Sequence, residues 1–295
     1  MPRPKLTHWL LFVLLSLIWG SSFILMKEGL VSLNPYQVAS IRILIAGLCM
    51  FPFLIKFARY TLRRDLWTLF LSGILGNGIP AYLFCLAESH IDSNLAGIIN
   101  ALTPVFTVLV AVLIYGQRIN LKQIAGIAVG FAGICFLMES DHGSVNEWKF
   151  GMLAVGATLC YGLNLNLVRH KLHHLPSLHI ASAAFSMLGI LELPVMYLAF
   201  SSYHPSDPQH ALISVMAALT LGVLNTALTV FLFYQLLKSA GSVFASMVTY
   251  GIPIVAVFWG LLAGEPVGWS QPLSLLAIFA GVYLVARTRQ QSLTD

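Results

Sequence analysis

A small set of polar and ionisable residues interrupts otherwise apolar stretches of this sequence, and in such surroundings each needs a partner or a task. Asn77, Ala81, Phe84 and Glu88 recur at helical spacing, which puts Asn77 and Glu88 on one helix face. Asn100, Thr103 and Thr107 form a second polar face, Tyr161 and Asn164 a third, and Asn225 and Thr229 a fourth. Uncharged donors and acceptors on several helices suit an interior cavity for a small polar solute; the alternative is hydrogen bonding between helices with no solute involved. Arg42 and Glu192 lie at similar depth in two different stretches. They could pair with each other, Arg42 could hold a substrate carboxylate, or Arg42 could snorkel to the nearer interface. Glu88 and Glu192 are the acids available for coupling transport to protons. Trp19, Phe23, Tyr82, Tyr161, Tyr250 and Trp259 could line a pocket for an apolar side chain, or serve only as packing and interfacial belt.

Pro104 and Pro253 add a backbone feature. A proline inside a helix cannot donate to the carbonyl four residues back, so the carbonyls of Asn100 and Thr249 are freed for a hinge or a binding site.

Catalysis finds less support, and no catalytic residue is assigned. Ser21 and Ser22 are the tempting nucleophiles, but no histidine falls mid-stretch to act as base, and His8 and His179 lie near stretch ends. There is no H-E-x-x-H, so a metalloprotease is not indicated. His170, His173 and His174 crowd one segment beside Arg169 and Lys171 with no carboxylate or cysteine in sequence reach, so no metal is expected. No G-x-x-x-x-G-K-[ST] phosphate cradle occurs either, so no cofactor is expected and any solute movement must run on a gradient.

The elements that must position these residues are apolar helices. The chain of 295 residues is 58% hydrophobic and 9% charged, leaving almost no extramembrane mass. Ten spans are expected at roughly 9–27, 36–55, 66–87, 95–115, 123–138, 150–168, 178–200, 212–236, 243–263 and 269–286. Most approach the ~20 residues that carry a helix across ~30 Å of hydrocarbon. The first is too long, and lacks the small-residue site, for a cleaved signal peptide.

Charge then orients the spans. With the N-terminus inside, the cytoplasmic segments collect Arg3, Lys5, Lys56, Arg59, Arg63, Arg64, Arg118, Lys122, Arg169, Lys171, Lys238, Arg287 and Arg289. The opposite loops hold only Lys27 and Lys149. Short connections give the positive-inside rule full weight, so both termini are expected in the cytoplasm of a bacterium, with the chain in its inner membrane. The basic residues are dispersed over six segments, which fits anionic headgroups and not nucleic acid. Cys49, Cys85, Cys135 and Cys160 each sit alone within a span and read as small buried hydrophobes.

The two halves resemble each other. Residues 96–104 align with 245–253, Gly116-Gln117-Arg118 with Gly264-Glu265-Pro266, and Phe131-Ala132-Gly133 with Phe279-Ala280-Gly281. Upstream, Trp19-Gly20 aligns with Tyr161-Gly162, Pro35 with Pro176, and Gly73 with Gly222. Five spans per half is an odd number, so the second half enters the membrane inverted, an architecture that recurs among secondary transporters. The expected organisation is a first repeat at 1–141, a second at 146–289 and a tail at 290–295.

These same residues resemble the EamA family of the drug/metabolite transporter superfamily. Trp19-Gly20-Ser21-Ser22-Phe23, Pro35 with Ile41-Arg42-Ile43-Leu44, Pro104, and the turns at Gly116-Gln117-Arg118 and Gly264-Glu265-Pro266 match its pattern along essentially the whole chain. Gln117 stands where Glu is usual, Tyr161 where Trp often stands, and Ala183 near where a second-half Arg would fall. The resemblance implies ten helices, alternating access and efflux of small metabolites such as amino acids. The expected fold is therefore an all-α membrane protein of two inverted five-helix repeats, which could work as a monomer. The expected partners are a small neutral or zwitterionic solute and membrane lipid. A polyspecific facilitator or lipid translocator is the alternative, and an intramembrane enzyme the more distant one.

Overall fold

The computed structural model describes residues 5–57, 63–118, 120–140, 145–201, 203, 207–240, 245 and 248–291. Among these residues every regular element is helical. The first two spans are α1 (Leu6–Gly29) and α2 (Pro35–Phe57). The third is broken into α3 (Arg63–Gly73), a π-helical segment (Ile74–Gly78) and α4 (Ile79–Glu88). The fourth is split into α5 (Ser93–Asn100) and α6 (Thr103–Leu113), and the fifth is α7 (Leu121–Ser140). In the second half come α8 (Val145–Lys171) and α9 (Ser177–Phe200). The eighth span again holds a π segment (Val223–Leu228), between α10 (Pro208–Gly222) and α11 (Thr229–Ala240). The last two spans are α12 (Val248–Leu262) and α13 (Ser270–Gln291). Seven described helical stretches are long and apolar enough to cross a membrane, and three shorter apolar helices complete the ten.

The packing repeats between the halves. The second span packs along the seventh and the fifth along the tenth, while the first leans on the eighth and ninth as the sixth leans on the third and fourth. Glycines explain how closely these helices approach, since a bilayer offers little hydrophobic force between helices and close packing must replace it. A Cβ on Gly47 would stand 2.8 Å from the Cα of Gly189, and one on Gly189 would stand 3.1 Å from the Cα of Gly47. Gly20 lies against Val255 as Gly162 lies against Phe106, and Gly73 against Ala184 as Gly222 against Ile45. Large apolar side chains such as Leu113, Leu121, Leu198 and Leu212 point outward, as lipid-facing positions should.

The two matched prolines sit in different local settings. Pro104 sits in the first turn of α6, just after Ala101 and Leu102 interrupt the fourth span. That is the helix position where a missing N–H costs least. Pro253 instead lies inside the continuous α12, and the residues before that helix at 241–244, 246 and 247 lie outside the described residues. A second matched pair, Pro52 and Pro194, sits inside α2 and α9 beyond the Gly47–Gly189 crossing, and the sequence reading passed over it.

The start of α10 shows a side-chain cap. Oδ1 of Asp207 accepts the N–H groups of Gln209 (2.8 Å) and His210 (3.3 Å), and Oδ2 meets His210 Nδ1 at 2.6 Å. The His210 side chain first, and then the two backbone donors, hold the Asp207 carboxyl below the usual carboxylate range. A depressed folded-state value means the cap contributes in full at neutral pH and is lost as pH falls through that value. Protection factors of the amides at residues 209–212, taken relative to intrinsic exchange at each pH, should therefore fall on acidification, and Asp207→Ala should show the lowered protection already at pH 7.

Candidate functional site

Asn225 and Thr229, expected on a cavity wall, are consumed by the π segment of the eighth span. A π turn shifts the backbone register and leaves carbonyls needing other donors. The Thr229 hydroxyl donates to the Asn225 carbonyl at 2.7 Å, and the Thr226 hydroxyl donates to the Leu221 carbonyl at 3.0 Å. The Asn225 carbonyl also accepts Trp19 Nε1–H at 3.1 Å, while the Asn225 amide donates to the Ile18 carbonyl. Both Asn225 and Thr229 are buried. Trp19 and Asn225 thus join the first span to the eighth, and Thr229 braces the π segment from within.

The equivalent junction between the third and sixth spans uses Asn164. Its carboxamide accepts the Ser72 hydroxyl at 2.7 Å and lies over Gly76, where any Cβ would collide with it. Asn77, in the same π segment, is half-buried and makes no hydrogen bond to another described residue. At the broken fourth span, Thr103 Oγ1 donates to the Asn100 carbonyl at 2.9 Å, and Thr107 Oγ1 to the Thr103 carbonyl at 2.7 Å. The Thr107 carbonyl in turn accepts Nδ2 of Asn166 at 2.8 Å, a buried residue that the sequence reading missed. Its signal was available, because Asn166 is one more amide in an apolar span. Tyr250 packs edge-on against Phe279 at 5.9 Å, and Trp259 donates to Ser21 Oγ at 2.7 Å.

The charged candidates separate into two environments. Glu192 accepts the Tyr82 hydroxyl at 2.6 Å, and Ser40 Oγ lies 2.9 Å from the same hydroxyl, joining the second, third and seventh spans. Glu192 therefore has its partner in Tyr82, and of the alternatives for Arg42 the pair with Glu192 does not form. Arg42 is half-buried, with Nη1 3.6 Å from the Met26 sulfur and no ion pair to another described residue. It lies within electrostatic reach of Cys85, Glu88 and Tyr161. Tyr161 ends an aromatic series in which Phe23 meets Phe84 edge-on at 5.7 Å and Phe84 stacks on Tyr161 at 6.2 Å. Glu88, one turn beyond Cys85, is 1% exposed, and neither carboxylate oxygen has a hydrogen-bond partner among the described residues.

One cleft, of about 480 Å³, opens at the end of the bundle that carries the N-terminus, between Thr7, His8 and Leu11 of α1 and Gln235 and Ser239 of α11. None of the candidate residues lines it. The His170–His174 segment differs from expectation in one respect, since the buried Asp65 carboxylate does reach His174, at 3.3 Å. His170 is engaged otherwise, stacked on Tyr115 at 3.9 Å and bonded to the Asn166 carbonyl. Among the described residues no three potential metal ligands gather.

Known proteins resemble this arrangement over its whole length. The model of the EamA-like transporter family matches residues 7–139 and again 149–287. An uncharacterized transporter of Archaeoglobus fulgidus is 23% identical over 95% of this chain and 99% of its own. A probable amino-acid metabolite efflux pump of Escherichia coli K12 is 24% identical, covering 96% and 87%. The uncharacterized inner membrane transporter YedA of the same organism is 26% identical, covering 92% and 88%. A crystal structure 15% identical in sequence superposes with a TM-score of 0.61 over 98% of this chain and 99% of the other, so the two share a fold.

Proposed function

The chain belongs to the EamA-like transporter family, and from that premise we propose that it is a secondary carrier exporting amino acids or similar zwitterionic metabolites. It works by alternating access, from repeats at 1–141 and 146–289 that lie inverted in a bacterial inner membrane with both termini cytoplasmic. The cytoplasmic tail is 290–295.

The observation that carries this reading is Arg42. An arginine inside a span is expensive to keep unless it is paired or used. Arg42 has no carboxylate partner among the described residues, lies within electrostatic reach of Tyr161 at the end of the Phe23–Phe84–Tyr161 series, and presents a fork shaped for a carboxylate. A zwitterion with an apolar side chain complements that combination. Asn77 and Asn100, both half-buried with side-chain amides that bond no other described residue, are the polar contacts assigned to the substrate. Trp19, Asn164, Asn225 and Thr229 hold the helices in place, and Thr103, Tyr161 and Tyr250 remain wall positions. Pro104 is the hinge of the first half and Pro253 its counterpart.

Glu88 is the coupling group. An ionised carboxylate without hydrogen bonds is costly to bury, so exchange of a proton accompanies its exposure. The test is counterflow of labelled leucine, threonine and phenylalanine in proteoliposomes, with and without an imposed pH gradient. Saturable exchange supports the carrier, and no exchange of any amino acid overturns the substrate class. Glu88→Gln should keep counterflow within about twofold of the wild type while losing the acceleration by the pH gradient. Acceleration preserved in Glu88→Gln would remove Glu88 from coupling.

A further inference from the structure

The end of the bundle poor in Lys and Arg is closed by a contact between the two halves. The turn after α12 uses Gly264 at φ +78°, a left-handed conformation that suits glycine, and swings Glu265 back so that its N–H reaches the Gly260 carbonyl at 2.9 Å. The Glu265 carboxylate then straddles the start of α5. Oε1 accepts the Ser93 N–H at 2.9 Å and Oε2 accepts the Asn94 N–H at 3.0 Å. Those two donors belong to the first turn of a helix, have no partner within it, and carry the positive end of its dipole. A carboxylate is therefore a strong occupant of the position.

The closure extends around this contact. Asn94 is fully buried, its amide reaching the Pro266 carbonyl at 3.4 Å while Gln271 Nε2 approaches its Oδ1 at 3.5 Å. Lys27 at the end of α1 pairs with Asp92 at 3.5 Å and donates to the Ile91 carbonyl at 3.0 Å. A Cβ on Gly260 would stand 2.5 Å from Glu265 Oε2, so the carboxylate fits only over glycine. Glu265 comes from the second half and Ser93 and Asn94 from the first, so opening this end must break both charge-assisted hydrogen bonds.

The repeat places a counterpart at the opposite end. There Gly116 makes the same left-handed turn, with φ +63°, but the next residue is Gln117. A carboxamide offers one acceptor oxygen and no charge. We infer that Glu265 is the latch of this end, and that its unequal match with Gln117 biases the carrier toward closing here and opening at the cytoplasmic end. The inference rests on the alternating-access reading above; the cleft beside His8 and Gln235 lies at the end it leaves open.

The test is hydrogen exchange of the full chain in lipid nanodiscs, followed by mass spectrometry of peptides covering 89–100. Glu265→Gln should speed exchange at Ser93 and Asn94 about tenfold, the scale of losing a hydrogen bond to a charged group. Loss of a cap alone would do that too, so Gln117→Glu decides. Strengthening the far latch should raise exchange at Ser93 and Asn94 as well, though it touches neither, and should protect the cleft end. Unchanged exchange at Ser93 and Asn94 in Gln117→Glu overturns the inference. If Gln117→Glu misfolds, Gln117→Asp with the same readout replaces it. These responses with no amino-acid counterflow would overturn the proposed substrate and leave the latch standing.

Discussion

Arg42→Gln should lower amino-acid transport about 100-fold while the protein still folds and inserts. One hydrogen-bonded charge is worth about 1.5–3 kcal/mol, and each 1.4 kcal/mol is tenfold. The physical reason is that Arg42 has no ion-pair partner among the described residues, so its removal leaves none of their carboxylates stranded. Arg42→Lys should recover only part of the rate, because an ammonium cannot reproduce the two-pronged grip of a guanidinium. The decisive comparison is between leucine and the amine that lacks its carboxylate. The wild type should prefer leucine strongly, and Arg42→Gln should abolish the preference. An equal rate for the two compounds in the wild type would remove the carboxylate role.

Gly47→Ala should destabilise the bundle by about 3 kcal/mol, the upper part of the usual range for overpacking a tight site. The new methyl would stand 2.7 Å from the Phe185 carbonyl oxygen and 2.8 Å from the Gly189 Cα, and backbone atoms cannot rotate aside. The second and seventh spans must move apart, and with them the central interface of the halves. Gly156→Ala is the matched control. Its nearest neighbour would be a Leu83 methyl at 3.6 Å, an ordinary contact. Alanine in a helix interior is favoured over glycine by about 1 kcal/mol, so that variant should be neutral or more stable. Thermal unfolding in detergent, followed by intrinsic fluorescence, compares the two. Equal midpoints would refute the close-approach account.

How far the candidate site could be read from residues alone differs by residue. Glu88 and Arg42 stand out because a charge in an apolar span is visible at once, and neither has an ion pair among the described residues. Asn225 and Thr229 were equally visible, yet Thr229 satisfies a carbonyl in a π turn and Asn225 donates to the Ile18 carbonyl of the first span, and no periodicity announces one inserted residue. Glu192 paired with Tyr82 because α9 crosses α2 at the Gly47–Gly189 contact, and the facing depth of two helices depends on where they cross. Asp65 reached His174 across 109 positions of chain, a meeting that local spacing cannot disclose.

What the sequence by itself determined was the helical class and the ten apolar spans, together with their pseudo-repeat. A bilayer forces backbone groups to be satisfied within each segment, so length and hydropathy dictate helices directly. The matched glycines were legible for the same reason, since only small residues let helices in lipid approach closely. Tertiary structure alone decided which polar groups are spent on one another and which stay available. Asn164 lies over Gly76, Trp19 on the Asn225 carbonyl, and Glu265 on the first turn of α5. Those choices depend on helix rotation and crossing depth, which many distant packing contacts set together and no local pattern encodes.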